Sequence, residues 1–546
     1  MSASVTVPGP SSNGTPAGSI SLSFIGTSNL TVAKQISDAL AFASGGGTLY
    51  STTYSGGAVP TVTPGDTTEE LVLGAGVTGA ITVPAAASGV AEILVIPTDV
   101  TGPVTIYGNP GLQITGGNGN ITVIDPAVVD FGGNSTTNAP NAVTLTSADS
   151  PYTVVAGPGA VETVYGIGPG LSTSYIYGGV SGDLINLTGA TGNYVVTSEA
   201  ALGDTVFAGS GNVTIDNLSA SHDAIDQGAF GALTVDDAGT GDSISTGFGT
   251  AVVTAAGIDG QISGFGEITV NAAGGTGDTV AFGIGGTFYS SASSSGSMVF
   301  SDFGNVSVNA SNTTSDTIIG DTGSLTVNAG NAASLLVFSG PSVGDPGLVF
   351  IGGSGFSTVV GQTGADSVTG GSGQLDFIAN VGESVTGTGA LQGSTLFGAS
   401  GSYLDFAGSA GNLEFLGNAG SETLNASGST GFNQFYAGSV GADSLTGESI
   451  VGGSNINSYV AGTGADTFTE TGGTNVYSFV GSILGSSASH DVLTNFLTGT
   501  NDLVFISGTD TATFTGGTNT VLSLTDGTTI EFVGLTSSQV QSHIIT

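Results

Sequence analysis

The chain has 546 residues, of which 96 are glycine and none is cysteine or tryptophan, and its 41 acidic residues face one basic residue, giving a net charge of −40. Such a charge is typical of disordered chains, but only 8% of the residues are charged and 39% are hydrophobic, which predicts a folded protein. Since phosphate binding needs clustered Lys and Arg, this composition excludes nucleic acid and disfavours anionic membranes as partners. Without cysteine there are no disulfides and no thiolate metal sites.

The first 50 residues contain one predicted helix. Val32, Ile36 and Leu40 recur at i, i+4 and i+8, Asn29 is placed to cap the start, and the glycines at 45–47 are placed to end it. We expect this helix to cover the end of the first β turns, with Lys34 solvated on its surface.

The chain is not expected to insert into a membrane, because no apolar run approaches the ~18 residues of a membrane-spanning helix. Its first residues also lack the basic and apolar regions of a secretory signal. The protein is therefore expected either to be cytoplasmic or to have its export address elsewhere in the chain.

Short strand-like triplets bounded by glycine, such as Val213-Thr214-Ile215 and Leu233-Thr234-Val235, recur from about residue 67 onward. They repeat with steps of 20, 18 and 17 residues along Ile215, Val235, Val253 and Val270. Self-similarity at such a period is the sequence mark of a solenoid. We predict an all-β fold, a parallel β-solenoid with turns of about 18–20 residues that stack roughly 4.8 Å apart.

The change of pattern along the chain predicts three regions. Residues 1–130 are expected to form a β-rich cap or assembly region with the one helix, and residues 131–485 the solenoid with degenerate Gly-Asp repeats. Residues 486–546 are expected to form a C-terminal β cap that also contains the export signal.

The segment GQTGADSVTGGSGQLDF (361–377) is similar to the calcium-binding nonapeptide of the repeat-in-toxin (hemolysin-type) family, G-G-x-G-x-D-x-[large apolar]-x. Gln362 replaces the second glycine and Asp376 sits one position late, while weaker copies follow at 438–447 and 461–470. The resemblance implies Ca²⁺ bound between turns by carboxylates and carbonyl oxygens, the ligands this cation prefers. The alternative is turn chemistry, in which Asp bonds to its own loop. The metal ligands it implies are Gly361, Gly364, Asp366, Gly371, Gly373, Asp376, Gly441, Asp443, Gly464 and Asp466.

An acid-[Thr/Ser]-[Val/Ile] signature recurs at Asp204, Asp242, Asp278 and Asp316. Its steps of 38, 36 and 38 residues are about twice the strand period. For these acids we expect turn chemistry rather than a metal.

The segment HDVLTNFLTGTNDLVFISG (490–508) resembles the pattern that closes many repeat-in-toxin proteins, through Asp491, Phe496, Gly499 and Asp502. The tail after it looks like the strand–Asp-Gly–strand ending of type I secretion substrates. There the uncleaved C-terminus is read by a channel that spans both membranes of a Gram-negative bacterium. The resemblance therefore implies an extracellular or cell-surface protein whose partner during export is the type I channel.

We do not expect an enzyme. Lyases on β-helices need a basic residue to neutralise the substrate and remove a proton, and this chain has no Arg and one Lys. His222, His490 and His543 are scattered without metal-ligand spacing. A third, less favoured alternative is a polysaccharide-acting β-helix enzyme, because a fold never excludes a grafted site.

The sequence thus predicts an extracellular structural protein that self-assembles, head to tail or laterally, into a surface layer, filament or biofilm matrix, with calcium as its cofactor. The reason is the pairing of a long stackable solenoid with few chemistry-bearing residues, since solenoid ends expose strand edges. The alternative is an adhesin that binds a cell-surface glycan through Thr and Ser columns.

Overall fold

The computed structural model describes most of the chain. The described residues are 2–10, 15–25, 27–56, 58, 65–100, 102–117, 121–131, 141–145, 151–156, 163–166, 173–178, 182–198, 203–217, 222–228, 230–272, 274–290, 294–311, 313–340, 346–390, 392–418, 420–437, 449–451, 454–462, 464–479, 489–497, 501–506 and 511–546.

The chain divides into two units, and each is a parallel β-solenoid, as the sequence predicts. Unit 1 comprises Met1–Asn271 and Gly275–Thr279, and unit 2 comprises Ala272–Gly274 and Val280–Thr546. This division neither supports nor contradicts the region boundaries at 130 and 485, which stay predictions.

The elements up to the end of unit 1 begin with a hairpin and a helix and continue as short strands. They are β1 (Ser2–Pro8), β2 (Ser19–Ile25), α1 (Thr27–Gly46), β3 (Leu49–Tyr54), β4 (Thr68–Leu73), β5 (Gly79–Thr82), β6 (Ala91–Ile96), β7 (Val104–Tyr107), β8 (Leu112–Gly116), β9 (Ile121–Ile124), β10 (Val128–Phe131), β11 (Ala142–Leu145), β12 (Thr153–Val155), β13 (Thr163–Gly166), β14 (Thr173–Tyr177), β15 (Leu184–Asn186), β16 (Asn193–Ser198), β17 (Thr205–Ala208), β18 (Val213–Asn217), β19 (Ala224–Gln227), β20 (Ala232–Asp237), β21 (Ser243–Thr246), β22 (Thr250–Ala255), β23 (Gln261–Gly264) and β24 (Ile268–Ala272).

The remaining elements are again short strands, followed by a helical turn near the C-terminus. They are β25 (Thr279–Phe282), β26 (Gly285–Ser290), β27 (Met298–Ser301), β28 (Asn305–Asn309), β29 (Asp316–Ile319), β30 (Leu325–Asn328), β31 (Ser334–Phe338), β32 (Pro346–Ile351), β33 (Phe356–Val360), β34 (Ala365–Gly370), β35 (Leu375–Ile378), β36 (Ser384–Gly389), β37 (Ser394–Phe397), β38 (Tyr403–Asp405), β39 (Leu413–Leu416), β40 (Thr423–Asn425), β41 (Phe432–Tyr436), β42 (Ser449–Val451), β43 (Ile456–Val460), β44 (Thr467–Thr469), β45 (Thr474–Phe479), β46 (His490–Thr494), β47 (Leu503–Ile506), β48 (Thr513–Gly516), β49 (Thr520–Ser523), β50 (Thr529–Phe532), α2 (Ser537–Val540), the 3₁₀ turn Gln541–His543 and β51 (Ile544–Ile545).

Each turn contributes one strand to each of two parallel sheets. In unit 1 one sheet runs β3, β4, β6 and onward through the even-numbered strands, and the other runs β5, β7, β9 and onward through the odd ones. The register confirms the predicted period, because Val213 pairs with Leu233, Leu233 with Ala251, and Ala251 with Ile268. These apolar residues are buried and stack on one another, which forms the core.

The N-terminal cap of unit 1 is formed by β1, β2 and α1. The helix spans Thr27–Gly46, so it begins two residues before the predicted cap at Asn29. Val72, Ile93 and Val95 share a core cluster with Phe24 and Leu40 of the cap. Since Leu71 and Leu94, which alternate with these residues, are buried as well, the cap covers the outer face of the sheet rather than the end of the first turns. Lys34 is exposed, as expected, and pairs with Asp38 at 2.9 Å.

Unit 2 ends in a small antiparallel sheet. Strand β46 pairs in parallel with β50, and β50, β49 and β48 then pair in antiparallel order. The Asp526-Gly527 turn lies between β49 and β50. Within the described part of the chain, no helix is both long enough and apolar enough to cross a membrane.

Candidate functional site: a column of buried carboxyl groups

Four acidic residues of unit 1 lie at equivalent places in consecutive turns. Asp183, Asp204, Asp223 and Asp242 each immediately precede a strand of the odd-numbered sheet, and each is at most 3% exposed. The signature at Asp204 and Asp242 shows every second turn of this column. Asp183 and Asp223 were not predicted, although both are followed by an apolar strand in the same way.

Hydrogen bonds between turns hold this column together. The N–H of Asp183 donates to Oδ1 of Asp204 at 2.7 Å, and the N–H of Asp223 donates to Oδ1 of Asp242 at 2.7 Å. The N–H of Asp204 donates to the carboxylate of Asp223. A carboxylate thus accepts the N–H at the start of the strand one turn earlier. This corrects the expectation that these acids bond to their own loop.

The same contact recurs with other residues. Asp278 accepts the N–H of Gly260 at 3.0 Å in unit 1, and Asp316 accepts that of Ser297 at 3.0 Å in unit 2. Asn433 accepts the N–H of Leu413 at 3.3 Å. Because an amide can replace the carboxylate, the contact itself does not need a negative charge.

Burial makes Asp204 a weak acid. It is the largest cause that raises the pKa of Asp204 to about 8, and the charge of Asp183 raises it further. Burial also raises the pKa of Asp237, and the neighbouring Asp242 adds to the rise. In a chain with one basic residue, burial is not offset by ion pairs, so the neutral form is favoured.

The segment 361–376 places part of the predicted calcium site together. Asp366 lies in β34, is 5% exposed, and accepts the N–H of Leu348 at 2.8 Å. Beside it lies Glu383, which is fully buried and accepts the N–H of Asn380 through Oε2 at 2.6 Å. A Cβ at Gly361 would lie 2.1 Å from Oε1 of Glu383, so only glycine fits against this carboxyl group. Glu383 was not predicted, although Glu383-Ser384-Val385 matches the acid-[Thr/Ser]-[Val/Ile] signature.

The carboxyl groups of Asp366 and Glu383 interact directly. Burial is the main cause that raises the pKa of both, and the closeness of Asp366 raises that of Glu383 further. Oδ2 of Asp366 and Oε1 of Glu383 accept no hydrogen bond from an N–H or hydroxyl group of the described residues. The raised pKa of Glu383 favours a proton shared between the two carboxyl groups, and a cation in its place would likewise remove the repulsion between their charges.

The other predicted ligands of this segment lie elsewhere. Gly364 directly precedes β34, two residues before Asp366. Gly371 and Gly373 follow β34, where a Cβ would lie 2.1 Å and 1.9 Å from the carbonyl oxygens of Gly353 and Gly355, so these glycines serve close stacking. Asp376 belongs to β35 in the other sheet, between Thr358 and Thr395, and alternates with the buried Leu375 and Phe377. It therefore faces outward, away from the interior position of Asp366.

Asp466 is a buried member of a second stack in unit 2. Its Oδ2 accepts the N–H of Gly462 at 2.8 Å, across the loop that contains Gly464, and its own N–H donates to Asp491 at 3.0 Å. Burial, followed by the charge of Asp466, raises the pKa of Asp491 to about 8. Gly441 and Asp443 lie outside the described residues.

No group of three or more His, Asp or Glu side chains in the described ranges is arranged to hold a metal ion. Calcium therefore stays a prediction, and the Asp366–Glu383 pair would need backbone carbonyl oxygens to complete its coordination.

Comparison of the chain with protein-family models, with curated proteins and with solved structures finds no match in any of the three. The functional conclusion therefore depends on the residues of this chain alone.

Proposed function

We propose that the chain is an extracellular structural protein that self-assembles into a surface layer, filament or biofilm matrix. The observation that supports this most directly is that the first strands of unit 1 each pair with one described strand only. In unit 1, β3 pairs only with β4 and β5 only with β7 among the described residues. An unpaired strand edge is a template for another chain.

The open end of unit 1 supports the same proposal. A cleft of about 750 Å³ lies beside β5 and is lined by small residues, among them Gly56, Gly76 and Ala80. In unit 2, strand β48 pairs only with β49 among the described residues and is largely exposed. A head-to-tail contact between such ends is heterologous and propagates a fibre.

The proposed calcium site is the Asp366–Glu383 pair. These carboxyl groups, with the carbonyl oxygens that the neighbouring glycines leave accessible, would hold the ion. The ion would supply positive charge in a chain that has almost none, and so stabilise the turns between β34 and β36.

Export and location are part of the same proposal. The C-terminal resemblance to repeat-in-toxin proteins supports secretion by a type I channel to the surface of a Gram-negative bacterium. Asp491 and Asp502 of that pattern are buried and accept N–H groups of Asp466 and Asn475, so the pattern also has a structural use. An adhesin that binds cell-surface glycan, and a polysaccharide-acting enzyme, stay the alternatives.

Electron microscopy of the purified protein with calcium and with EDTA tests this proposal. We expect sheets or filaments in calcium that loosen in EDTA, and a loss of the calcium effect in Asp366→Asn. The matched control is Asp376→Asn, which removes an outward-facing acid ten residues away. Dispersed monomers under all conditions would contradict self-assembly. Assemblies that are identical in EDTA would contradict the calcium site alone.

A further inference from the structure

Three phenylalanine side chains of unit 1 lie exposed in consecutive turns and stack on one another. Phe230, Phe248 and Phe265 are 80%, 60% and 62% exposed. Their ring centroids are 5.6 Å and 5.5 Å apart, and the ring planes differ by 29° and 23°. We call these three residues the Phe ridge.

The backbone beneath the Phe ridge fixes its position. Each of the three phenylalanines precedes a glycine. A Cβ at Gly249 would lie 1.8 Å from the carbonyl oxygen of Gly231, and a Cβ at Gly266 would lie 1.8 Å from the carbonyl oxygen of Gly249. The three Phe-Gly pairs follow each other at 18 and 17 residues. This repeat was the signal in the sequence that could have revealed the ridge.

The exposure of these rings to water is unfavourable, because the phenylalanine side chain is apolar. Burying a Phe side chain is worth roughly 1.5–3 kcal/mol, and other Phe residues of the chain, such as Phe131, are buried in the core. A line of exposed apolar side chains on a soluble protein is the mark of an interaction surface. The Phe ridge is therefore a candidate interaction surface.

The geometry of the ridge disfavours a sugar as its partner. Sugars stack on the open faces of aromatic rings, but here the faces of Phe248 are covered by the rings on either side. Glu267, which follows Gly266, is exposed beside the ridge and adds negative charge. The ridge presents ring edges, which fit an apolar surface on the partner.

A second copy of this chain has a Phe ridge with the same ring spacing. The spacing of the rings follows the spacing of stacked strands, which is about 4.8 Å, and a second solenoid brings the same spacing. We propose that the Phe ridge is a lateral contact between two copies, ridge against ridge. This proposal deepens the proposed function, because it names the lateral contact of the assembly.

The contact between two isolated copies is expected to be weak. Three side chains bury a few hundred Å² per copy at most, whereas a standard interface buries about 800 Å² per partner. A copy held in an assembly meets its neighbour at a high effective concentration, which makes a weak contact sufficient. Unit 2 has exposed apolar residues of the same kind, Ile284 at 64% and Phe303 at 73%, and each also precedes a glycine.

Cysteine cross-linking tests the proposal, since the chain has no cysteine of its own. Thr250 is exposed two residues after Phe248, so Thr250→Cys leaves the ridge intact. Under mild oxidation we expect Thr250→Cys to form dimers about tenfold faster than Phe42→Cys, through the effective concentration at the ridge. Phe42 is the matched control because it is 85% exposed on helix α1.

The ridge variants complete the test. Adding Phe230→Ser, Phe248→Ser and Phe265→Ser to Thr250→Cys should lower the rate to that of the control, whereas Phe248→Tyr, which keeps the ring, should not. Circular dichroism checks that the triple variant folds, and Phe248→Ser alone decides if it does not. Equal rates for Thr250→Cys and Phe42→Cys would overturn the ridge contact.

Microscopy of the same samples separates the two proposals. Sheets or filaments without ridge cross-links would leave self-assembly standing and overturn the ridge. Ridge cross-links without any assembly would support the ridge and overturn the proposed function.

Discussion

At the scale of single residues, glycine decides how closely two turns stack. The Phe-Gly pairs show this well, because Gly231, Gly249 and Gly266 lie directly above one another with no room for a methyl group. At Gly228, three residues before Gly231, a Cβ would have no heavy atom within 4 Å. The glycines of this chain thus have different roles that composition alone does not separate.

Gly249→Ala is expected to destabilise the protein by about 1–3 kcal/mol, because the new methyl group would clash with the carbonyl of Gly231 and shift the turn. Gly228→Ala is the matched control and should change the free energy of unfolding by less than about 0.5 kcal/mol, as surface substitutions do. Urea unfolding followed by circular dichroism measures both. Equal stability of the two variants would contradict the stacking argument.

At the scale of elements, the N-terminal cap is attached over two buried acids. Glu70 and Asp130 are fully buried on strands β4 and β10, next to Ser51 and Thr115 on the adjoining strands. Burial raises the pKa of Glu70 to about 7 and that of Asp130 well above its usual value, against the weaker opposite effect of these hydroxyls. On α1, Lys34 is paired with Asp38 at the exposed surface and does not neutralise either acid.

The cap is therefore expected to loosen as the pH rises. The stability from neutral Glu70 is fully present below its unfolded pKa near 4.5 and is lost as the pH rises through about 7. Lys34 is the only Lys or Arg in the chain, so trypsin has one cleavage position, and it lies within α1. Cleavage there should increase about tenfold between pH 6.5 and 8.5, after correction for the activity of trypsin on a peptide.

Glu70→Gln is expected to suppress most of this increase, because an amide does not ionise. Asp99→Asn removes an exposed acid just after β6 and should leave the pH dependence unchanged. If Glu70→Gln and the wild type were cleaved with the same pH dependence, the cap would not be controlled by this acid.

At the scale of the whole molecule, charge opposes association. The formal net charge is −40 with a single basic residue, and although buried acids such as Asp204 stay neutral, two copies still repel each other. The contacts proposed for assembly, strand edges and phenylalanine rings, are themselves uncharged, although Glu267 lies beside the Phe ridge. Neutral contacts on a strongly acidic chain allow assembly to depend on the ions in solution.

Salt is therefore expected to promote assembly. Raising NaCl from 0.01 M to 0.1 M shortens the screening length from about 30 Å to about 10 Å and should lower the concentration needed for assembly several-fold. Light scattering across a dilution series measures that concentration. If salt instead dissolved the assemblies, ion pairs rather than neutral contacts would hold them.

The sequence by itself determined the solenoid and its period. Apolar residues such as Val213, Leu233 and Ala251 recur at the turn length, and a repeated strand buries its apolar side only by stacking on the next one. It also determined that buried acids would lack ion pairs, because the chain has only one basic residue. The period depends on the spacing of nearby residues, and the number of basic residues is a simple count, so both follow directly from the sequence.

Only the tertiary structure decided which side chains meet. Asp366 and Asp376 are ten residues apart in one motif, yet they lie in different sheets, whereas Glu383 from the next turn reaches Asp366. The Phe ridge likewise exists only because corners of consecutive turns lie one above the other. Contacts between turns depend on register and on the direction of each side chain, and a sequence motif fixes neither across 18 residues.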